Sequence, residues 1–485
     1  MICAVLARPS VESFREGLEQ VSHSRASMAE IRLDALENPS PKDVDDILKI
    51  RPLPTIVTCR PADEGGQFDG KENCRIALLQ QAVNAGSEYV DLEWSRWGQL
   101  TPSARTQFIA SHHDFEKMPK TVSTLSAQMA RAEHVSVIKI ALYCDDLRDQ
   151  LRLKDLIQQT SLPVVGIGMG PRGVASRSLA TAWGSPWTYA AATPQDRTAP
   201  GLPSLQDPFR PADPKTRLFG LLGNPAIHSL GPAVHGAALE AVGLNGIYLP
   251  MEADSVEEGV EFATRAGFEG LSITMPFKRE ILPCAHFIDP LAQEVGAANT
   301  LHAGPEGWYA SNTDASAIEH LLQTRLTSPR KGRCLVLGAG GAARAAIVAA
   351  RRVGLEVLVS SRTSENARAA ASSFNAHYLE WNDRNFPSDL RCVIHATPLG
   401  MDGFENQIPL DPSELSPDTL ILETVYHPPR TRLLRESQKA NLPTISGDEV
   451  FIAQAADQFR HFTKMSPPID IMTSALAAER KRRDG

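Results

Sequence analysis

The sequence holds no C-x-x-C pair, and its seven cysteines are odd in number and scattered over 485 residues. Such spacing gives neither a disulfide framework nor a zinc site, and no metal is called for. No apolar run approaches the ~20 residues of a membrane span. There is also no long basic block, and 49 Lys and Arg stand against 57 Asp and Glu for a net charge of −8. Nucleic acid and membrane surfaces are therefore poor candidates for the main partner. The opening Met1-Ile-Cys-Ala-Val-Leu-Ala lacks the basic start and longer apolar stretch of a secretion signal, and reads as a first strand. Cytoplasmic residence is the expectation. What is present is an ordinary globular composition, 42% hydrophobic and 22% charged. At 100–200 residues per domain the chain holds about three compact units.

A carboxylate is missing from one place where a dinucleotide enzyme usually has one. Cys334-Leu-Val-Leu-Gly338-Ala-Gly340-Gly341-Ala-Ala343 is an apolar run breaking into a glycine-rich turn, followed by an Ala-rich helical stretch and a second apolar run from Glu356. This βαβ pattern carries G-x-G-x-x-A, whose glycines let a pyrophosphate sit on a helix N-terminus. The second run ends in Ser361-Arg362-Thr363, with no Asp or Glu for a ribose 2′-hydroxyl. A cation flanked by hydroxyls suits a 2′-phosphate, so the cofactor expected is NADP.

In the first 200 residues, eight short apolar runs alternate with helical stretches: Ile2–Leu6, Glu30–Leu33, Thr55–Thr58, Tyr89–Leu92, Gln107–Ala110, Val135–Ile140, Val164–Gly168 and Trp187–Ala190. Eight strands alternating with helices imply a parallel, closed (β/α)8 barrel, with its chemistry at the C-terminal strand ends. Those ends are polar: Glu30, Arg32 and Asp34; Arg60, leading into Glu64-Gly-Gly66; Asp91 and Glu93; His112-His113-Asp114; Lys139; and Ser176-Arg177. Unpaired buried charge is costly, so convergence of these groups on one rim points to function. A buried Lys among cations has a lowered pKa and becomes a nucleophilic amine. With His as proton shuttle and Arg as carboxylate fork, the residues describe a Schiff-base lyase or aldolase acting on a small keto acid.

Glu30-x-Arg32-x-Asp34, Thr58-x-Arg60 with Glu64-Gly-Gly, His113-Asp-Phe, the apolar strand around Lys139 and Ser176-Arg177 resemble type I 3-dehydroquinate dehydratase over roughly residues 1–205. The resemblance implies that Lys139 forms an imine, His113 moves protons, Arg177 binds the substrate carboxylate, and Glu30, Arg32 and Arg60 line the pocket. One departure is Ala199-Pro-Gly-Leu202, where the family usually closes its site with Gln; a Leu at that place weakens lid closure or turnover.

Pro-rich sequence from 206 to 215 reads as an extended, semi-rigid linker. Beyond it, polar groups follow apolar runs at Asn224-Pro-Ala-Ile-His228-Ser229, Thr274-Met-Pro-Phe-Lys278, Ala298-Asn299-Thr and Asn312-Thr-Asp314. These are tools for gripping a polyhydroxylated ring, and a Lys–Asp pair can relay the proton that accompanies hydride transfer. Read singly, Asp314 is a candidate N-cap for a helix beginning near Ala315. With the glycine loop, Ala396-Thr397-Pro-Leu-Gly-Met401, Val425-Tyr426-His-Pro and Gln454-Ala-Ala-x-Gln-Phe, this half resembles shikimate dehydrogenase from about 217 to 475. The resemblance implies Lys278 and Asp314 as the catalytic pair. Ser229, Thr274, Asn299, Tyr426 and Gln454 would hold substrate, and Gly338, Gly340, Ala343, Arg362, Thr397 and Met401 would contact NADP, beside Gly341, Ser361 and Thr363 of the same loops. Departures are Gly231 for a usual Ser, which opens space beside the ring carboxylate and leaves quinate as an alternative substrate; Ser272 for Asn; and Ala315 for Gly.

The expected architecture is α/β: a dehydratase barrel over 1–205, the linker 206–215, a substrate lobe over 216–322 completed by about 452–485, and a Rossmann NADP lobe over 323–451. The expected function is bifunctional: 3-dehydroquinate is dehydrated to 3-dehydroshikimate, which is then reduced to shikimate. Partners are these small molecules, with the chain a monomer or a homodimer. A quinate/shikimate dehydrogenase joined to a weak dehydratase and a non-catalytic ligand sensor are the alternatives. The closing Glu479-Arg-Lys-Arg-Arg is expected only to end a helix with favourable cations.

Overall fold

The computed structural model describes residues 1–226, 229–326, 332–382 and 389–484. His228 therefore lies outside the described residues. The chain forms two compact units, Met1–Arg217 with Asn245–Gly267, and Leu218–Leu244 with Phe268–Gly485.

In the first unit all eight expected strands form: β1 (Ile2–Leu6), β2 (Met28–Arg32), β3 (Thr55–Thr58), β4 (Tyr89–Glu93), β5 (Gln107–Asp114), β6 (Val135–Tyr143), β7 (Val164–Met169) and β8 (Thr188–Ala191). They are hydrogen-bonded in the order β7-β6-β5-β4-β3-β2-β1-β8. The barrel is thus a sheet curled nearly shut, with β7 and β8 as its two edges. Near them Ser185 Oγ accepts from Gly166 N at 3.4 Å and donates to Val164 O at 2.8 Å, which occupies edge groups that a ladder would otherwise pair.

Strands buried on both faces explain the near-continuous Val and Ile runs. Outward side chains such as Leu6, Ile31 and Val57 meet the helices at Phe14, Leu18 and Ile47. Two of these helices start as their sequences dictate: Ser10 and Ser40 cap Val11–Ser22 and Pro41–Lys49 through capping boxes, the second with Pro at its start. Inside, Cys3, Met28, Ile56, Ile109 and Val137 form an apolar layer with Trp187, which packs on Tyr89 at 5.3 Å between ring centres. The polar groups named above stand at the opposite, C-terminal ends. The Pro-rich segment is docked on the barrel: Phe209 packs on Ile2 and Ala190, and Ala212 N donates to Ser178 O at 2.8 Å. Pro stiffens that segment, but contacts such as these, with Thr181 Oγ1 donating to Ala212 O at 2.6 Å, fix its place.

The second half contributes β9 (Arg217–Gly223), β10 (Gly246–Glu252), β11 (Phe268–Ile273), β12 (Phe287–Ile288), β13 (Thr300–Gly304) and β14 (Gly307–Ser311). By contacts β10 and the helix Val256–Ala266 group with the barrel unit. In the second unit β9, β11, β13, β14 and β12 are neighbours in that order, with β13 antiparallel to both β11 and β14. A separate parallel sheet follows, built from β15 (Arg333–Leu337), β16 (Glu356–Ser360), β17 (His377–Tyr378), β18 (Leu390–His395), β19 (Leu420–Glu423) and β20 (Thr444–Ile445), in the order β17-β16-β15-β18-β19-β20. That is the doubly wound order, which reverses beside β15 and opens a crevice at the strand C-termini.

Trp187 is among the largest fully buried side chains. Trp187→Ala is expected to lower barrel stability by about 3–5 kcal/mol, because the cavity it leaves is too deep for its neighbours to fill. Urea unfolding followed by circular dichroism checks it; a change below ~1 kcal/mol contradicts the packing described.

Candidate active sites

Strand register brings the polar ends of the barrel into one cleft, lined by all six barrel residues expected there: Glu30, Arg32, Arg60, His113, Lys139 and Arg177. Lys139 lies next to Ser111 across β5 and β6, as Thr58 lies next to Asp91 across β3 and β4. The immediate surroundings of Lys139 differ from those expected. Its ammonium faces carboxylates, with Nζ 3.0 Å from Asp91 Oδ2 and 3.2 Å from Glu30 Oε1, and it sits 4.6 Å above the centre of the Tyr189 ring. The cations nearby are themselves paired. Arg60 donates to Asp91 at 2.7 Å and to Glu93 at 2.6 Å, and Arg75 meets Glu93 at 2.8 Å. Arg32 forks onto Asp34 at 2.9 and 2.7 Å, and Asp34 also accepts from the backbone N of Arg60 and Gln67. Burial alone would raise the Asp91 carboxyl, but Arg60 and Lys139 outweigh it and hold Asp91 below the usual carboxylate range.

Two groups in the cleft depart from that pairing. Burial, aided by Arg60 and Lys139, lowers the pKa of His113 well below its usual value, so the ring is neutral and able to take a proton. Its Nδ1 lies 3.1 Å from Glu64 Oε2, and burial pushes the Glu64 carboxyl up to about 7. His113 also stacks on Phe115, whereas His112 is not among the cleft residues. The second group is Arg177. It is fully buried, burial pushes it down to about 10, and among the described residues its Nε has no partner. Its Nη2 reaches only Pro200 O, at 3.3 Å, which ties it to the lid turn of Ala199-Pro-Gly-Leu202. Leu202 is buried and packs with Val5, Ile167 and Met169. A buried, under-partnered guanidinium in a cleft is a site for an anion.

The sequence places Glu64 and Asp91 at the polar rim but assigns them no role. Both carry the signal used for the others, a carboxylate just past or inside an apolar strand, but their partners emerge only from the register.

In the second unit Lys278 Nζ meets Asp314 Oδ2 at 2.6 Å, both half-buried. Asp314 does not cap its helix. Thr313–Arg325 is capped by Asn312, which accepts from Ala315 N at 2.9 Å; Asp314 lies within the first turn and is left free to pair with Lys278. Asn299 is buried at the hub: its Oδ1 accepts from Thr313 N at 2.7 Å, and its Nδ2 donates to Thr313 Oγ1 at 2.9 Å and Gln454 Oε1 at 3.4 Å. Ser272 takes its place in the same core by donating to Gln458, which bonds Asn299 O. Thr274 sits in the chain between Ser272 and Lys278, beside Gly223. Ser229 Oγ accepts from Gly231 N at 3.1 Å, and Tyr426 packs on Phe451. The terminal cations do more than end a helix: Arg480 binds Asp448 and the Tyr426 carbonyl, and Arg483 donates to Ser229 O at 2.9 Å.

The glycine loop fits a dinucleotide. Gly338 has φ +126°, and a Cβ there would lie 2.4 Å from Ala396 O, so both conformation and close approach require glycine. Gly340 differs: a Cβ there would meet nothing within 4 Å, which leaves open space at the start of helix Gly341–Arg352. Ala343 is fully buried where that helix meets the strand. At the end of β16, Ser361 Oγ donates to Thr363 O at 2.8 Å, and Arg362 is exposed with no partner among the described residues. Thr397 follows β18 half-buried, and Met401 is 38% exposed. An open helix N-terminus and a free cation match the phosphates of NADP.

A family model described as type I 3-dehydroquinase matches residues 2–207, and one for the shikimate dehydrogenase substrate binding domain matches residues 221–301. The bifunctional 3-dehydroquinate dehydratase/shikimate dehydrogenase, chloroplastic, of Arabidopsis thaliana is 32% identical over 97% of this chain and 83% of its own length. Shikimate dehydrogenase (NADP(+)) of Anaeromyxobacter sp. (strain K) is 34% identical over 56% of this chain and 99% of its own. Among solved structures, shikimate 5-dehydrogenase from Thermus thermophilus in complex with NADP(H) and shikimate superimposes with a TM-score of 0.50 at 33% identity, covering 54% of this chain and 99% of that one.

Gly338→Ala is expected to abolish NADPH binding, measured by quenching of cofactor fluorescence, while the barrel's chemistry is unaffected. Wild-type affinity in that variant contradicts the steric argument.

Proposed function

We propose that this chain, which belongs to the bifunctional 3-dehydroquinate dehydratase/shikimate dehydrogenase family, carries out two consecutive steps, dehydration of 3-dehydroquinate and NADPH-dependent reduction of the 3-dehydroshikimate formed. The observation that carries the first step is the sharing of one cleft by Lys139, neutral His113 and the under-partnered Arg177. Arg177 takes the substrate carboxylate, which supplies the anion that its burial calls for. Lys139 adds to the ketone through its amine nitrogen and expels water, which carries off the two protons the nitrogen loses, to form a protonated imine. The imine acidifies the α-carbon; His113 removes that proton and returns it to the departing β-hydroxyl, which leaves as water. Hydrolysis of the imine releases the enone and restores Lys139. Glu30, Arg32 and Arg60 line the cleft and hold these groups in place.

In the second unit Ser229, Thr274, Asn299, Tyr426 and Gln454 hold the ring, and the Lys278–Asp314 pair hands a proton to the ketone oxygen. Gly338, Gly340, Gly341 and Ala343 receive the pyrophosphate, Ser361, Arg362 and Thr363 the 2′-phosphate, and Thr397 and Met401 the nicotinamide half. NADPH supplies the hydride when bound. The domain bounds proposed are those of the sequence: 1–205, 206–215, 216–322 with about 452–485, and 323–451. Among the described residues no helix is long and apolar enough to cross a membrane. Cytoplasmic residence and a monomeric or homodimeric state complete the proposal. Gly231 and Leu202 favour one second possibility, a quinate-reducing enzyme with a slow barrel, since each removes a polar group from its pocket.

Borohydride added with 3-dehydroquinate is expected to fix substrate mass on Lys139, read by peptide mass spectrometry. Lys139→Ala is expected to lose adduct and dehydration and to keep shikimate oxidation; loss of both activities contradicts two separate sites. Glu64 provides a pH test. Above about pH 7 its carboxylate accepts from His113 Nδ1–H, leaving Nε2 to take the α-proton; below it the carboxyl is protonated and that orientation is lost. Dehydratase kcat/KM is therefore expected to rise with pH through about 7. Glu64→Gln is expected to lower it about tenfold or more and to remove that limb. An unaltered pH profile in the variant contradicts the assignment.

A further inference from the structure

We propose that His395 and Glu423 are positioning residues for the nicotinamide half of NADP, acting through the Thr397 hydroxyl and the loop that follows it. The proposal rests on the assignment of Thr397 and Met401 to the cofactor.

His395 ends β18 and Glu423 ends β19, and the two are direct register partners on adjacent parallel strands. Both side chains are wholly buried, at the C-terminal edge where the sheet presents its crevice. The Glu423 carboxylate gathers three donors. His395 Nδ1 lies 2.9 Å from Oε1, Val425 N donates to the same oxygen at 2.9 Å, and Thr431 Oγ1 donates to Oε2 at 2.9 Å. On the far side of the ring, His395 Nε2 is 2.5 Å from Thr397 Oγ1. The result is an unbroken chain from carboxylate to imidazole to hydroxyl, its first two members wholly buried and Thr397 half-buried in the loop after β18.

Hydrogen-bond chemistry gives this chain a direction. A carboxylate only accepts, so Nδ1 carries a proton; in a neutral ring Nε2 is then the acceptor and takes the Thr397 O–H. Thr397 Oγ1 also accepts from Leu399 N at 3.3 Å, which leaves one lone pair for a ligand. The hydroxyl therefore offers an acceptor to a bound molecule and selects a donor such as a ribose hydroxyl or a carboxamide N–H. Glu423 also binds a residue beside the other end of the loop. Its partner Thr431 caps the helix Arg432–Lys439, and Thr431 Cβ stands 3.3 Å from where a Cβ on Gly400 would be. A single carboxylate thus binds His395 at the start of the segment from Thr397 to Met401 and Thr431 beside its far end.

Its place selects one half of the cofactor. Arg362 follows β16, on one side of β15, and Thr397 follows β18 on the other. A dinucleotide laid across the β15 switch point with its 2′-phosphate at Arg362 brings its nicotinamide half to Thr397. Disturbing the chain must weaken binding of NADPH and spare a fragment that ends at the adenosine.

The test measures dissociation constants for NADPH and for adenosine 2′,5′-bisphosphate on the full chain, by calorimetry, for wild type, Thr397→Val, His395→Phe and the paired H395F/E423Q, which avoids leaving a buried carboxylate short of a partner. Each variant is expected to weaken NADPH about tenfold, the worth of one oriented hydrogen bond, with the bisphosphate unchanged. T397V combined with H395F is expected to be no weaker than either alone, because both break the same chain. If T397V weakens NADPH and the His395 variants bind it within about twofold of wild type, the positioning role is overturned and the cofactor assignment stands. Equal weakening of both ligands, with a lowered melting temperature, makes the pair merely structural and overturns the proposal. Wild-type protein that binds neither ligand overturns the cofactor assignment and the proposal together.

Discussion

The barrel depends on a single buried carboxylate. Asp91 holds Lys139 on one oxygen and Arg60 and Ser111 on the other, and Arg60 passes the charge balance to Glu93 and then to Arg75. Removing one member of such a buried pair costs about 3–5 kcal/mol, because the partner is left charged and dry. The network therefore fixes both the strand ends and the place of the amine. It also sets Arg177 apart: among the described residues the other cations of the cleft have carboxylates, and Arg177 is left for an anion, the place proposed for the substrate carboxylate. The carboxylates of Asp91 and Glu30 fix the place of the amine.

The second unit uses the same economy with weaker charges. Lys278 and Asp314 are half-buried and pair directly, while the groups assigned to substrate are held from behind. Asn299 is bound by Thr313 and Gln454, Ser229 by Gly231 and Arg483, and the Tyr426 backbone by Arg480. The last helix thus reaches back to the loops that carry Ser229 and Tyr426. On the cofactor side, Gly338 permits the close turn, Gly340 keeps space, and His395 with Glu423 holds the opposite bank of the crevice.

Much of this was legible before any coordinates. Eight buried strands announce themselves by Val and Ile runs, since parallel strands covered on both faces have no reason to alternate. Charged residues at the ends of such runs mark the catalytic rim, and for the six assigned residues the register brings them together. The glycine pattern was equally direct because its requirement is local, a positive φ at Gly338 and a missing side chain at Gly340. Partners were not legible. Lys139 is expected among cations because Glu30 and Asp91, read one at a time, give no hint of facing it from β2 and β4. Asp314 resembled a cap because Asn312, two residues earlier, competes for the same role. His395 and Glu423 end two ordinary apolar strands, and only the β18–β19 register joins them. The terminal Glu479-Arg-Lys-Arg-Arg reads as a solvated helix end until tertiary contacts with Asp448 and Ser229 are known.

The central claim is that two complete sites on one chain act in series on one carbon skeleton. The most direct measurement is to supply the purified protein with 3-dehydroquinate and NADPH and to follow the products by NMR. Transient 3-dehydroshikimate followed by shikimate is the result expected. Quinate as the product, with no enone at any time, would mean that reduction precedes dehydration and would contradict it.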